Sequence, residues 1–440
     1  MLFGTSGIRG LYGKEVTESL AITIGNVFAD GNVAVGRDTR TTGTSLSRAV
    51  SSGVMSRGKN VLQLGLVPTP TVALATVKNS CNGIMITASH NPGEYNGLKL
   101  FREGKEITKE EEEKIEEDYA KGSVLSEWDK VGKTKDYPDA VDEHKKMIKK
   151  LVDVDLIEKK KPKVVVDCNG AAVAIAPSLL SELGCEVKEI NTETKGFSRP
   201  SEPNDENLSE LKKIVKSEGA DIGIGHDGDG DRAVVVDEKG EVLPLDVQLA
   251  MMIEYEMGRN SNKKIVSTVE ASLMIRDLVE KKGGEISILP VGSTYISHEL
   301  EKQGALFGGE PCGEYVFGEA EHHAPDGILA AAKFVEMFCR EGALSELKKK
   351  YSTYPMLREK YKSEKKYEVV EKVREKIETE GKINDSDGLR VDEKDGWFLI
   401  RASGTEPYVR LTMEYKSEGK LADKSEKLRS LIKEEISKLG

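Results

Sequence analysis

Residues 221–238 read DIGIGHDGDGDRAVVVDE, an acidic, glycine-rich turn set between two apolar runs. The runs 222–224 and 233–236 are short and built of Ile, Val, Gly and Ala, the pattern of buried strands. Asp227, Asp229 and Asp231 stand at alternate positions in the turn. On a helix they would spread around the axis, whereas a glycine-rich turn lets them converge. Converging carboxylates repel one another, and a divalent cation resolves the repulsion. An all-oxygen donor set points to Mg²⁺, which keeps further positions for water or a phosphate oxygen. With Glu238 these residues also match positions 1, 3, 5 and 12 of an EF-hand calcium loop. That alternative fails at position 6, where Arg232 replaces the required glycine. It fails again on the flanks, which read as strands and not helices.

The same strand-and-helix rhythm extends outward in both directions. Upstream, 32–38 (NVAVGRD), 61–67 and 84–87 read as strands, with helices over 44–55 and 71–77. The charged stretch 109–120 (KEEEEKIEEDYA) reads as a solvated surface helix. After the basic edge at 159–163 the pattern restarts: strand 164–167, helix near 173–183, strand 186–190, helix 208–217, then the strand into the acidic turn. Past Asp246 it restarts again, with strands over 265–268, 286–291 and 306–309 and a long helix over 327–340. The tail changes order: helix 367–379, strands 397–402 and 408–414, helix 425–439. The expected fold class is α/β, with three mixed α/β domains and a smaller C-terminal α+β domain. The expected boundaries are 1–150, 151–246, 247–352 and 353–440, since 440 residues exceed what one core organises.

Composition narrows the function. Charged residues make up 32% and hydrophobic ones 38%, which fits a globular chain. Aromatics are only 5%, so the cores must be aliphatic. A net charge of −11 argues against nucleic acid and membrane surfaces as partners, because both attract a basic face. A small anion can still enter a local basic pocket. No apolar run approaches the ~20 residues of a membrane span. The opening MLFGT lacks the basic and apolar regions of a signal peptide. The five cysteines, at 81, 168, 185, 312 and 339, form no Cys-x-x-Cys pair, so neither a disulfide framework nor a zinc site is expected. A cytoplasmic location is expected.

Three more loops carry candidate chemistry. Residues 85–96 (MITASHNPGEYN) leave a strand end, where such sheets place ligand loops. Ser89 becomes a nucleophile only with a base, a metal or a prior covalent modification; taken alone, Ser89 and His90 are turn residues. Residues 308–314 (GGEPCGE) set Glu310 among glycines, where a carboxylate can accept from sugar hydroxyls or simply belong to a turn. Residues 401–407 (RASGTEP), with Arg410, combine Arg401, Ser403, Thr405 and backbone N–H groups around Gly404, a donor set suited to a phosphate dianion. The alternative is a polar turn between strands.

Together with 3–10 (FGTSGIRG) and 35–40 (VGRDTR), the ordered set TASHNP, DGDGDR, GGEPCG and RASGTEP resembles the α-D-phosphohexomutase family over essentially the whole chain. The resemblance implies a heart-shaped, four-domain molecule whose last domain closes over substrate. It implies that Ser89 carries a phosphoryl group and that Asp227, Asp229 and Asp231 bind Mg²⁺ together with it. Arg9, His90, Lys99 and Arg232 match positions near the transferring group, where acid/base help and charge neutralisation are needed. A hexose 1,6-bisphosphate would prime the enzyme, and the RASGTEP loop would grip the phosphate that is not reacting. The partner is a small phosphosugar, and a homodimer is compatible. FGTSGIRG and GGEPxG resemble the archaeal-type phosphoglucosamine mutases more than the phosphomannomutase/phosphoglucomutase branch, which is the alternative. Cys312 stands where the family commonly has a sugar-holding serine, and 290–295 (PVGSTY) lacks a charge that many relatives carry there. A metal-dependent sugar phosphatase and a non-catalytic phosphosugar sensor are the rival classes.

Overall fold

Four β-sheets follow one another along the chain in the computed structural model, which describes residues 2–4, 6–403 and 407–439. The first runs, in spatial order, Ile8–Leu11, Tyr95–Arg102, Asn82–Ile86, Val33–Arg37, Val61–Leu66, Thr134–Asp136, with Lys105–Glu106 beside Tyr95–Arg102. Its centre is parallel, because the helices Gly43–Ser56 and Thr69–Asn79 return the chain between strands. Strand Asn82–Ile86 is buried throughout, which is why 84–86 are apolar without alternation. Tyr95–Arg102 comes back antiparallel, with Arg9 facing Gly97 and Lys99 facing Met85. Side chains alternate along a strand, so Arg9 and Lys99 emerge on one face.

In the second sheet the order is Ala233–Asp237, Ile222–His226, Lys163–Asp167, Glu186–Ile190. Its first two strands form the antiparallel hairpin whose turn is DGDGDR, which disposes of the EF-hand. In the third sheet, Phe307–Glu310 and Glu314–Phe317 form another hairpin beside the parallel strands Lys264–Thr268 and Glu285–Leu289. The two hairpins meet: Arg232 bridges Glu314, and the Ala233 amide donates to the Gly313 carbonyl at 3.0 Å. The fourth sheet, over Met356–Tyr415, is antiparallel throughout and carries the helices Lys366–Lys376 and Glu418–Leu439.

The helix expected near 173–183 is broken. A 3₁₀ turn covers Ala171–Ala174 and the helix restarts over Ala176–Glu182. Pro177 at its second position lacks an N–H and cannot continue a preceding turn. The last helix begins at Glu418, earlier than expected.

One apolar core is shared by the second and third sheets and reaches Met147 and Ile148 of the helix Asp139–Leu151. A buried polar clasp joins the helix Asp139–Leu151 to the third unit. His144 Nε2 and His322 Nε2 meet Asp326 Oδ2 at 2.8 and 3.2 Å, while Asp326 Oδ1 accepts from the Ile328 and Leu329 amides. The fourth unit keeps its own core and meets the third through a smaller apolar seam. Among the described residues, no helix is long and apolar enough to cross a membrane.

Candidate active site

Ser89 follows the strand Asn82–Ile86 and has φ 49°, the left-handed region that a serine keeps only under constraint. Its amide donates to Thr87 Oγ1 at 2.8 Å. Its carbonyl accepts from Arg40 Nη2 at 2.8 Å and from Ser201 Oγ at 2.9 Å. Arg40 is fixed in turn by Asp38 Oδ2 at 3.0 Å and donates to the Asn91, Pro92 and Tyr95 carbonyls. This bracing aims Ser89 Oγ at Asp227 Oδ2, 3.1 Å away. Two loops remote in sequence therefore meet.

The acidic turn fits because of its glycines. Gly230 has φ 70°, and a Cβ on Gly228 would lie 2.6 Å from Ser201 Oγ and 2.8 Å from the Ser89 carbonyl oxygen. Asp227, Asp229 and Asp231 each offer an oxygen within 4.8 Å of the others, and all three are buried. Lys99 Nζ lies 2.8 Å from Asp229 Oδ2 and 2.6 Å from Asp231 Oδ2. Thr69 Oγ1 donates to Asp229 Oδ2 at 2.6 Å. The triplet is thus partly compensated by a buried ammonium.

Burial, with Asp231 and Asp229 beside it, pushes Asp227 well above the usual carboxylate range. Burial works against Asp229 as well, but the Lys99 charge together with hydrogen bonds from Asp227, Lys99 and Thr69 holds that carboxyl low. Burial and the Asp229 charge push Asp231 up to about 6. Lys99 keeps its proton: burial opposes the charge, and Asp229 and Asp231 more than restore it. The Arg232 guanidinium, then burial, then Arg9 push His90 down to about 2, so its ring is neutral. Its Nδ1 stands 3.5 Å from Ser89 Oγ.

These residues suit a divalent cation. Were all three carboxylates ionised, one ammonium would leave two negative charges, and the raised Asp227 reflects burial and that excess. Asp229 Oδ1 and Asp231 Oδ1 are buried with no hydrogen-bond partner among the described residues, the condition a hard cation relieves.

Around this centre, the Arg232 amide donates to Asp227 Oδ1 at 3.2 Å, and its guanidinium holds Glu314 Oε1 at 2.8 and 3.0 Å. Glu310 accepts from the Gly292 amide at 3.0 Å, and burial followed by Glu314 pushes it up to about 8. Cys312 lies between the two glutamates and is partly exposed. On the fourth sheet, Arg401 pairs in register with Arg410 and holds Glu270 of the third unit at 2.9 Å. The Ser403 amide donates to the Tyr408 carbonyl at 2.9 Å. Gly404 and Thr405 lie outside the described residues. Arg40, Thr69, Ser201 and Glu314 were not singled out from sequence. Arg40 sits in the VGRDTR motif and Glu314 closes the GGEPCGE loop, whereas Thr69 and Ser201 are ordinary polar residues with no spacing signal.

The sequence matches, in chain order, the phosphoglucomutase/phosphomannomutase alpha/beta/alpha domain I over residues 1–125, domain II over 142–240, domain III over 245–354 and the C-terminal domain over 356–430. The chain belongs to the α-D-phosphohexomutase family. As a phosphohexomutase it is an isomerase that moves a phosphoryl group within its substrate. This phosphohexomutase is 42% identical over 424 residues to a probable phosphoglucosamine mutase of Methanosarcina barkeri, covering 94% of this chain and 95% of that one. It is 40% identical to a phosphoglucosamine mutase of Methanococcus vannielii, covering 95% of each. A crystal structure of a phosphoglucomutase/phosphomannomutase family protein from Burkholderia thailandensis superposes with a TM-score of 0.87 at 28% identity, covering 99% of this phosphohexomutase and 97% of that chain.

Proposed function

We propose that this phosphohexomutase interconverts glucosamine-6-phosphate and glucosamine-1-phosphate through phosphorylated Ser89 and a 1,6-bisphosphate. The 3.1 Å approach of Ser89 Oγ to Asp227 in a buried acidic turn carries the chemistry, and the names of the relatives support the sugar. In the first half-reaction the sugar O1 attacks the phosphorus on Ser89. A P–O1 bond forms, the P–Oγ bond breaks, and the O1 proton ends on Ser89 Oγ. The bisphosphate turns over in the cleft. Ser89 Oγ then takes the phosphoryl group from O6 and its proton passes to O6, which regenerates phosphoserine and leaves glucosamine-1-phosphate.

Lys99, Arg9 and Arg232 neutralise charge on the transferring group, and neutral His90 relays the proton. Asp227, Asp229 and Asp231, with an oxygen of phosphorylated Ser89, would hold Mg²⁺, which when bound supplies further neutralisation of the phosphoryl oxygens. Glu310 and Cys312 contact sugar hydroxyls. Arg401, Ser403, Gly404, Thr405 and Arg410 grip the idle phosphate regardless of the sugar's orientation. A trace of hexose 1,6-bisphosphate phosphorylates Ser89 and primes the cycle. Each loop belongs to one of four domains, 1–150, 151–246, 247–352 and 353–440, acting in the cytoplasm.

A coupled assay with glucosamine-6-phosphate, glucose-1-phosphate and mannose-1-phosphate, each primed with its bisphosphate, tests the reading. The highest kcat/KM should belong to glucosamine-6-phosphate. A preference for glucose or mannose would replace the substrate, and sustained release of inorganic phosphate would replace the mutase by a phosphatase. Ser89→Ala should abolish turnover with an unchanged melting midpoint; near-normal rates would refute the carrier role.

A further inference from the structure

Ser201 lies in the loop between the strand Glu186–Ile190 and the helix Ser209–Glu218, and is 2% exposed. Its hydroxyl stands between the two loops that carry the chemistry. It accepts from the Gly228 amide at 2.9 Å and donates to the Ser89 carbonyl at 2.9 Å. A hydroxyl has one proton, and a carbonyl can only accept, so the direction of this chain is fixed. The loop that presents Ser201 is held tightly. Asn169 Oδ1 accepts the Ser198 and Arg199 amides at 2.9 and 3.0 Å. The Arg199 guanidinium reaches Asp167 Oδ2 and the His226 carbonyl, both at 2.7 Å. Asp167 and His226 end strands of the second sheet, and His226 is the last residue before the acidic turn. Ser201 and the turn therefore belong to one rigid frame, whereas Ser89 belongs to the first sheet.

Resting on the mutase reading above, we infer that Ser201 is a positioning residue, which refers the strained backbone of Ser89 to the frame of the acidic turn. Arg40 braces the Ser89 loop from within its own unit and Ser201 from across the seam. The left-handed φ of Ser89 decides where Cβ and Oγ point, and two donors on the Ser89 carbonyl hold it. Gly228 has no Cβ at the point where one would strike Ser201 Oγ, so the contact is built from both sides. Removing the hydroxyl leaves the buried Gly228 amide without its acceptor and frees the Ser89 carbonyl on one side. Phosphoryl transfer depends steeply on nucleophile placement. Among the described residues, the Ser201 hydroxyl bonds only to the Ser89 and Gly228 backbones and to no part of the GGEPCG loop, so sugar-phosphate binding should be spared.

The test uses full-length enzyme with Ser89 phosphorylated, comparing wild type, Ser201→Ala, Ser201→Thr and Ser201→Cys, with Ser89→Ala as control. Ser201→Ala should lower kcat about 10- to 100-fold with KM within about twofold. It should also change the half-life of phosphoserine 89 in buffer, followed by intact mass, by severalfold. Ser201→Thr should restore most of kcat; a Thr variant as slow as Ala would assign the effect to packing and overturn the inference. A wild-type kcat in Ser201→Ala, or a raised KM alone, would overturn it too. If the Ala variant melts far below wild type, Ser201→Cys takes its place, since a thiol keeps the shape with a weaker hydrogen bond. There a lowered kcat at constant KM supports the role, and an unchanged kcat removes it. An active Ser89→Ala would instead sink the mutase reading beneath.

Discussion

Lys99 is enclosed by the two carboxylates it neutralises, and its position follows from strand register: it lies two residues beyond the partner of Arg9. Removing one member of a buried ion cluster leaves the others uncompensated, which costs about 3–5 kcal/mol. Lys99→Met should therefore melt well below wild type in EDTA and recover a large part of the loss in excess Mg²⁺. Equal deficits with and without metal, by differential scanning calorimetry, would show that the acidic turn gains nothing from a cation. Glu310 makes a second prediction. Burial and Glu314 set it at about 8, against about 4.3 in an unfolded chain. The folded state therefore holds a proton that the unfolded state releases between those values. The contribution is complete below about pH 4.3 and is lost as pH rises through about 8. The melting midpoint of wild type should thus decline between pH 5 and pH 8, and Glu310→Gln should flatten that decline. Parallel slopes would exonerate Glu310. The acidic spacing was legible because three alternate aspartates among glycines are unusual, whereas Ser89 stood out only through the family resemblance of its loop. Ser201 and Thr69 were not legible, since a lone hydroxyl gives no hint of a partner more than a hundred residues away.

Asp326 shows how one side chain can serve an element and its neighbours. One oxygen caps the helix Gly327–Glu341, and the other meets two buried imidazoles, His144 from the helix Asp139–Leu151 and His322 from the loop just before the capped helix. A lost N-cap costs about 1 kcal/mol, and a buried group left without its partner about 1–3 kcal/mol. Asp326→Ala should therefore destabilise by about 3 kcal/mol or more in urea titrations followed by circular dichroism. Asp326→Asn, which keeps a capping oxygen, should recover about 1 kcal/mol of that. Equal losses would remove the cap from the account. At this scale the sequence was most informative where an element is uniformly buried or amphipathic. The strands Val33–Arg37, Val61–Leu66 and Asn82–Ile86 and the helix Gly43–Ser56 fall where their apolar patterns predict. Ile8–Leu11 was not read as a strand, because IRGL has no period of its own and is extended only through its pairing with Tyr95–Arg102. Met356–Lys362 escaped likewise: Arg358, Glu359 and Lys360 stand side by side and break any alternation, and its pairing with Tyr408–Tyr415 makes it a strand.

Across the whole molecule the four units are unequally joined. The second and third share one core, and buried His144 of the helix Asp139–Leu151 links Asp326 of the third, at 2.8 Å from its Nε2, to Thr71 of the first, at 2.8 Å from its Nδ1. The fourth meets the third at Val269, Leu273, Trp397 and Leu399, with Glu414 accepting from Ser272 Oγ at 2.5 Å, the Leu273 amide at 2.7 Å and Trp397 Nε1 at 2.7 Å. A body with its own core and a small seam opens at lower free energy than one sharing a core. The chain's two tryptophans suit a test of this difference, because Trp128 is 91% exposed while Trp397 is fully buried in the seam. In a Trp128→Phe background, Trp397 emission should shift to the red at lower urea than the loss of far-ultraviolet ellipticity. On the proposed function, glucosamine-6-phosphate should move the fluorescence transition upward more than the ellipticity transition, because a sugar phosphate held by Arg401 on the fourth unit and by the Ser89 loop on the first would tie the separable body to the rest. Coincident transitions would mean that the fourth unit unfolds with the shared core. A ligand that shifted both transitions equally would mean that binding does not bridge the units, and the RASGTEP loop would lose its part in holding substrate.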